Sequence, residues 1–138
     1  MKMMKKMLSV IVLLVTAVSC ATTSPTVLPE KYNLDNDLRS VKRISANTVS
    51  NWVQIDDQSF TFAANGSRLY LAVLDKPIGS SLAHYKIGLV DKSLIVTAGY
   101  DKICIKCDSN RSYYTIEKLY ELTGKEQANK IKGLLGKK

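Results

Sequence analysis

Ser59-Phe60-Thr61-Phe62-Ala63-Ala64-Asn65-Gly66-Ser67-Arg68-Leu69-Tyr70-Leu71-Ala72-Val73-Leu74 is the stretch on which the fold depends. Two runs rich in aromatic and aliphatic residues flank Asn65-Gly66. An Asn-Gly pair in that setting favours a tight type I′ hairpin, because both central positions need positive φ. Counting outward from a two-residue turn sets Phe62 opposite Leu69 and Phe60 opposite Leu71, with Thr61 opposite Tyr70 on the other face. One face of the hairpin is therefore expected to be apolar.

Upstream of the hairpin, Trp52-Val53-Gln54-Ile55 reads as a strand ended by Asp56-Asp57. A Ser/Asn-rich connection over 45–51 and a first extended segment around Val41 and Ile44 precede it. Downstream, Asp75-Lys76-Pro77 breaks the chain, and 79–82 forms a loop or single helical turn. Tyr85, Ile87 and Leu89 then alternate with polar or small residues, as a half-buried strand requires. Asp91-Lys92-Ser93 turns the chain into a strand over 94–97, Gly99 turns it again, and a strand over 102–106 points Ile103 and Ile105 inward. Tyr113 and Tyr114 continue the sheet, and residues 115–122 are expected to be helical. Thr123-Gly124-Lys125-Glu126 spells a capping box, and Ala128, Ile131, Leu134 and Leu135 then fall on one side of a helix that covers a sheet face or edge. Lys130, Lys132, Lys137 and Lys138 are left in water. Strands at this spacing predict a mainly β (α+β) fold: a small antiparallel curled sheet, roll-, sandwich- or barrel-like, with one or two C-terminal helices.

The amino end has a different character. Lys2, Lys5 and Lys6 precede an apolar run over 7–18 that is shorter than the roughly 20 residues a spanning helix needs, which is the pattern of a secretory signal. Ala17-Val18-Ser19-Cys20 resembles the lipobox of bacterial lipoproteins, although leucine is commoner than alanine at the Ala17 place. That resemblance implies cleavage before Cys20 and acylation of it, and Ala21, rather than an aspartate, implies the periplasmic face of the outer membrane. The expected division is a signal over 1–19, a lipidated Cys20 with a flexible tether over 20–37, and a single β-rich domain with its C-terminal helix over 38–138. The tether is expected from Thr, Ser, Asn and Asp with Pro25 and Pro29, a composition that does not repay the entropy of ordering.

The formal charge of +8 falls to +5 when the three signal lysines are removed. Apart from the Lys-rich carboxyl end this surplus is spread along the chain, suiting a solvated surface or attraction to anionic headgroups or other polyanions. No nucleic-acid recognition motif accompanies it. With Cys20 assigned to lipid, Cys104 and Cys107 remain as a local disulfide, two free thiols, or a redox or metal pair. Residues three apart on a straight strand point to opposite faces, so a bond between them needs a turn. His84 is the only histidine, on the polar phase of its strand, so neither a four-ligand zinc site nor a cysteine-histidine hydrolase is indicated. Asp56-Asp57 suits a turn better than an acid-base pair. No P-loop, Gly-x-Ser-x-Gly, His-Glu-x-x-His or EF-hand sequence occurs, so no cofactor or metal is expected.

Ile44, Trp52 with Ile55-Asp56, Arg68-Leu69-Tyr70-Leu71 with Leu74, Ile87-Gly88, Asp101-Lys102-Ile103 and Ile116 carry a further likeness. Through these residues the region 38–122 resembles an uncharacterised family of small bacterial envelope proteins, many with a lipobox, known as a domain of unknown function. The resemblance implies a cysteine after the Pro77 position and another just before the Ile116 position; Ile78 and Tyr114 stand near those places here. It implies no activity or catalytic residue. Trp52, Tyr70, Tyr85, Tyr113 and Tyr114 are the candidate binding surface, since aromatics with polar tips favour recognition. The expected function is a lipid-anchored, non-enzymatic periplasmic module that binds an envelope protein or glycan. The alternatives are a thiol-redox protein or enzyme using Cys104 and Cys107, and a carrier of a small apolar ligand.

Overall fold

The computed structural model describes residues 27–78, 86–90, 94–105 and 111–137. In chain order, a single 3-10 turn (Glu30–Tyr32) leads to β1 (Arg39–Ser40), β2 (Arg43–Ser45), β3 (Val49–Gln54), β4 (Ser59–Ala64) and β5 (Arg68–Leu74). There follow β6 (Ile87–Leu89), β7 (Ile95–Thr97), β8 (Lys102–Ile105), β9 (Ser112–Leu122) and α1 (Lys125–Leu135). The main sheet is antiparallel, barrel-like and nearly closed, in the order β3-β4-β5-β9-β8-β6, and β1 pairs with β9. A separate β2–β7 ribbon adds Ile44, Ala46 and Val96 to the core inside the curl.

The Asn-Gly hairpin forms, but its register is one residue away from the expected one. Phe62 pairs with Tyr70 and Phe60 with Ala72, and the loop is Asn65-Gly66-Ser67 rather than two residues. Asn65 (φ 52) and Gly66 (φ 85) do adopt the left-handed region. Asn65 is also held from outside the hairpin: its N–H donates to Thr48 O, its Oδ1 accepts from Asn47 N–H, and its Nδ2 donates to Ser45 O. A one-residue slip moves every side chain to the other face. Phe60, Phe62, Tyr70, Ala72 and Leu74 consequently share the inner core, while Leu71 and Val73 face outward into a second cluster.

Residues 115–122 are not helical. They belong to the 11-residue β9, the backbone of the fold, which pairs with β5 on one edge and with β8 and then β1 on the other. Val73 faces Lys118 but Leu74 faces Ile116, so Glu117 is an extra residue, a β-bulge. The bulge resets the alternation: Ile116 and Leu119 point inward, Tyr120 and Leu122 outward. Apolar residues three and four apart then imitate a helical face.

A second bulge lies in β3, which begins at Val49, inside the segment expected to be a connection. Between Ser50 and Val53 the register shifts, leaving Asn51 and Trp52 opposite Phe62, with Asn51 at φ 55. The bulge turns Trp52 onto Phe62, with centroids 4.9 Å apart. Asn tolerates this backbone and a β-branched residue does not. Asn51→Val is therefore expected to lower stability by about 1–3 kcal/mol, and Asn51→Gly to leave it within about 0.5 kcal/mol, by urea unfolding.

The domain starts earlier than its composition suggests. Tyr32 is 0% exposed, and Leu34 and Leu38 are buried with it, so the part of the expected tether from Glu30 onward is packed structure. With Ile131 and Leu135 of α1, these residues cover Leu71, Val73, Tyr120 and Leu122 on the outer face of the sheet. The expected capping box does not form. Gly124 (φ 153) is the N-cap, and Gln127 Oε1 accepts from both the N–H (2.7 Å) and the hydroxyl (3.0 Å) of Thr123. Starting the helix one residue later puts Gln127, not Glu126, at the position that reaches back. Ala128, Ile131 and Leu135 pack as expected, whereas Leu134 is exposed.

Candidate functional site

The most connected polar cluster fastens the amino-terminal segment to the sheet. Asp56, in the bend after β3, accepts from Gln58 N–H (3.0 Å) and Ser59 Oγ (2.6 Å) through Oδ1. Its Oδ2 accepts from Tyr32 Oη (2.7 Å) and Lys31 Nζ (2.9 Å). Burial acts to raise its carboxyl pKa, but these hydrogen bonds outweigh it and hold the group below the usual carboxylate range. Burial and the adjacent carboxylate push the Tyr32 phenol well above the ordinary tyrosine range, so it remains a donor. On β9, the buried Tyr120 hydroxyl donates to Tyr32 O (2.9 Å) and accepts from Leu34 N–H (3.2 Å) and Lys118 Nζ (3.3 Å). Lys118 also bridges to Asp35 at 3.3 Å. Asp56 is thus engaged as a structural acceptor, in line with a turn role, and nothing in the arrangement leaves it available as a general base.

The aromatic residues expected to make one surface are divided between places. Tyr70 is 3% exposed and stacked on Phe62 with centroids 5.7 Å apart, so it belongs to the core and not to a binding surface. Its polar tip suggested a surface, and the expected register set it on the face away from Phe62, whereas the observed register pairs it with Phe62. Trp52 is half-buried against Phe60 and Phe62. Tyr113 and Tyr114 are neighbours on β9 and so face opposite sides of the sheet. Tyr113, 44% exposed, pairs with Cys104, while Tyr114 packs against the inner core, with Lys76 Nζ 5.2 Å from its ring centroid.

Cys104 is buried on β8 between Gly88 and Tyr113. Cys107, Cys20, Tyr85 and His84 lie outside the described residues. Among the described residues there is no group of three or more His, Cys, Asp or Glu placed to hold a metal ion. No described helix is long and apolar enough to cross a membrane. The clasp of Tyr32, Asp56 and Tyr120 was not anticipated from sequence. Its one available signal was Tyr32-x-Leu34, an apolar pair inside an otherwise polar stretch.

No curated protein and no solved structure matches the chain. A family model does match, over residues 3–134, a wider span than the strand region 38–122. By that match, the chain belongs to a family of unknown function, DUF6491.

Proposed function

We propose that this protein is a lipid-anchored module of the bacterial cell envelope, held at the periplasmic face of the outer membrane by acyl chains on Cys20, and that it binds an envelope protein or glycan rather than catalysing a reaction. The observation that carries this reading is the start of the chain: three lysines, an apolar run over 7–18, and Ala17-Val18-Ser19-Cys20. The family match begins at residue 3 and so takes in the apolar run and Cys20. Several acyl chains, at about 0.8 kcal/mol per buried CH₂, anchor a protein without a spanning helix. A tether needs a firm attachment at its far end, and the Tyr32–Asp56–Tyr120 clasp supplies one at the turn Glu30–Tyr32.

The test is intact mass spectrometry of the protein purified from membranes, with and without reduction. The expected mass lacks residues 1–19 and carries added acyl groups, and Cys20→Ala abolishes the addition. A full-length or merely cleaved, unacylated product would overturn the anchor. The same spectra report Cys104 and Cys107: a two-hydrogen gain on reduction marks a disulfide, the state from which the thiol-redox alternative begins. For binding, the expected result is a stoichiometric partner on pull-down from native membranes, or retention on envelope glycan, weakened by Tyr113→Ala. Failure of both removes the binding role.

A further inference from the structure

The face built by the β2–β7 ribbon and the Gly99 turn combines exposed apolar side chains with exposed cations. In the ribbon, Ile44 and Val96 pair and point into the core, so the adjacent pairs Arg43/Thr97 and Ser45/Ile95 point outward. Ile95 is 45% exposed, Leu94 61% and Tyr100, at the turn, 75%. Tyr100 shares a shallow hollow with Val90 and Lys102. Lys42, Arg43 and Lys102 are exposed, and none forms an ion pair with a described residue. Along 39–47, 86–90 and 94–105 the only carboxylate is Asp101, which is buried and accepts from Thr97 N–H at 2.6 Å. Among its described residues the face therefore presents apolar tips and positive charge with no exposed acid.

Its position matters as much as its chemistry. Gly99 N–H donates to Ile116 O, and Asp101 O accepts from Ile116 N–H, which sets the turn one residue along β9 from Glu117. Glu117 and Lys118 line a hollow with Leu28, Pro29 and Glu30, where the described chain begins. Val27 is seven positions after Cys20, a link that can reach at most about 25 Å. A lipid on Cys20 would keep this end of the domain close to the bilayer. The helix is the weaker candidate for membrane contact, because Ile131 and Leu135 are consumed in covering the sheet and only Leu134 is left exposed.

We propose that this face docks on an anionic bilayer, with Leu94, Ile95 and Tyr100 entering the headgroup region and Lys42, Arg43 and Lys102 meeting lipid phosphates. The orientation rests on the Cys20 anchor, whereas the lipid affinity of the face does not. The experiment uses the membrane-purified protein carrying Leu94→Trp or Leu134→Trp. Each is mixed with phosphatidylcholine vesicles bearing brominated acyl chains, with or without an equal part of phosphatidylglycerol. Trp52 gives a constant background.

The expected result is bromine quenching of Leu94→Trp that is severalfold greater in anionic vesicles, with Leu134→Trp unquenched in both. Arg43→Gln is expected to weaken the anionic interaction about fivefold at low salt. Absent quenching at Leu94→Trp, or equal quenching at both positions, overturns the docking face. An acidic protein as the true occupant gives the first of these outcomes. Flotation at high salt reads the anchor separately: floated protein with no Leu94→Trp quenching has the anchor without the docking face, and quenching at low salt without high-salt flotation has the face without the anchor.

Discussion

Phe62→Ala is expected to lower the unfolding free energy by about 3–5 kcal/mol, the range for removing a buried aromatic ring. The ring is 1% exposed and lies between Tyr70 and Trp52, at centroid distances of 5.7 and 4.9 Å. Its deletion removes two aromatic contacts as well as buried area. It also leaves a space opposite the β3 bulge, where a β-strand pairing fixes the walls and limits collapse. Against a total of about 5–15 kcal/mol for a domain of this size, the loss is about a fifth or more. Urea unfolding followed by Trp52 fluorescence measures it, and Phe62→Leu, which refills much of the volume, should cost roughly half as much. A loss below about 1 kcal/mol for Phe62→Ala would contradict the packing described.

Asp56→Ala is expected to cost about 3–5 kcal/mol, because four donors converge on this one carboxylate. Two of them, the hydroxyls of Tyr32 and Ser59, belong to residues with no solvent exposure and would be left without this acceptor. Lys31 is half exposed and recovers water, so its share is small. Asp56→Asn keeps the shape, loses the charge, and should fall between the two. Linkage gives an independent check. The folded carboxyl is held below its unfolded pKa of about 3.9, so its contribution is present above that value and disappears as pH falls through the folded pKa. Stability should therefore drop as pH falls below about 4, and Asp56→Asn should flatten that decline. Tyr32→Phe removes the same hydrogen bond from the other side. A double-mutant cycle with Asp56→Asn that showed no coupling would rule out the clasp as the fastening of the amino-terminal segment.

Legibility varied with how local each determinant is. The hairpin around Asn65-Gly66, the break at Asp75, the turn at Gly99 and the inward Ile103 and Ile105 all follow from short-range turn chemistry and alternation, and all are present. The hairpin register is different in kind. Asn65 is tied to Ser45, Asn47 and Thr48, residues 17 to 20 positions away, and no local rule states which loop length those bonds select. Tyr70 was placed on the candidate surface for its polar tip, and the register that buries it is not locally encoded, since one residue of slip exchanges the core and solvent faces.

Strand β9 shows the same limit. Ile116, Leu119, Tyr120 and Leu122 carry a helix-like spacing because Glu117 interrupts the strand with a bulge, and the bulge exists only through its pairing with Val73 and Leu74. Tyr32 and Leu34 sit in a polar, proline-bearing stretch whose composition signals a tether, yet the exposed outer face of β5 and β9 has to be covered. By itself the sequence determined the strand-rich class, most turn positions, the covering role of the C-terminal helix, and the cationic, apolar and cysteine pattern of the first twenty residues, because each depends on neighbours within a few positions. Register, the two bulges, the docking of the amino-terminal segment and which aromatics face solvent were decided by tertiary structure alone, since hydrogen bonds and burial between distant segments choose among local options of nearly equal energy.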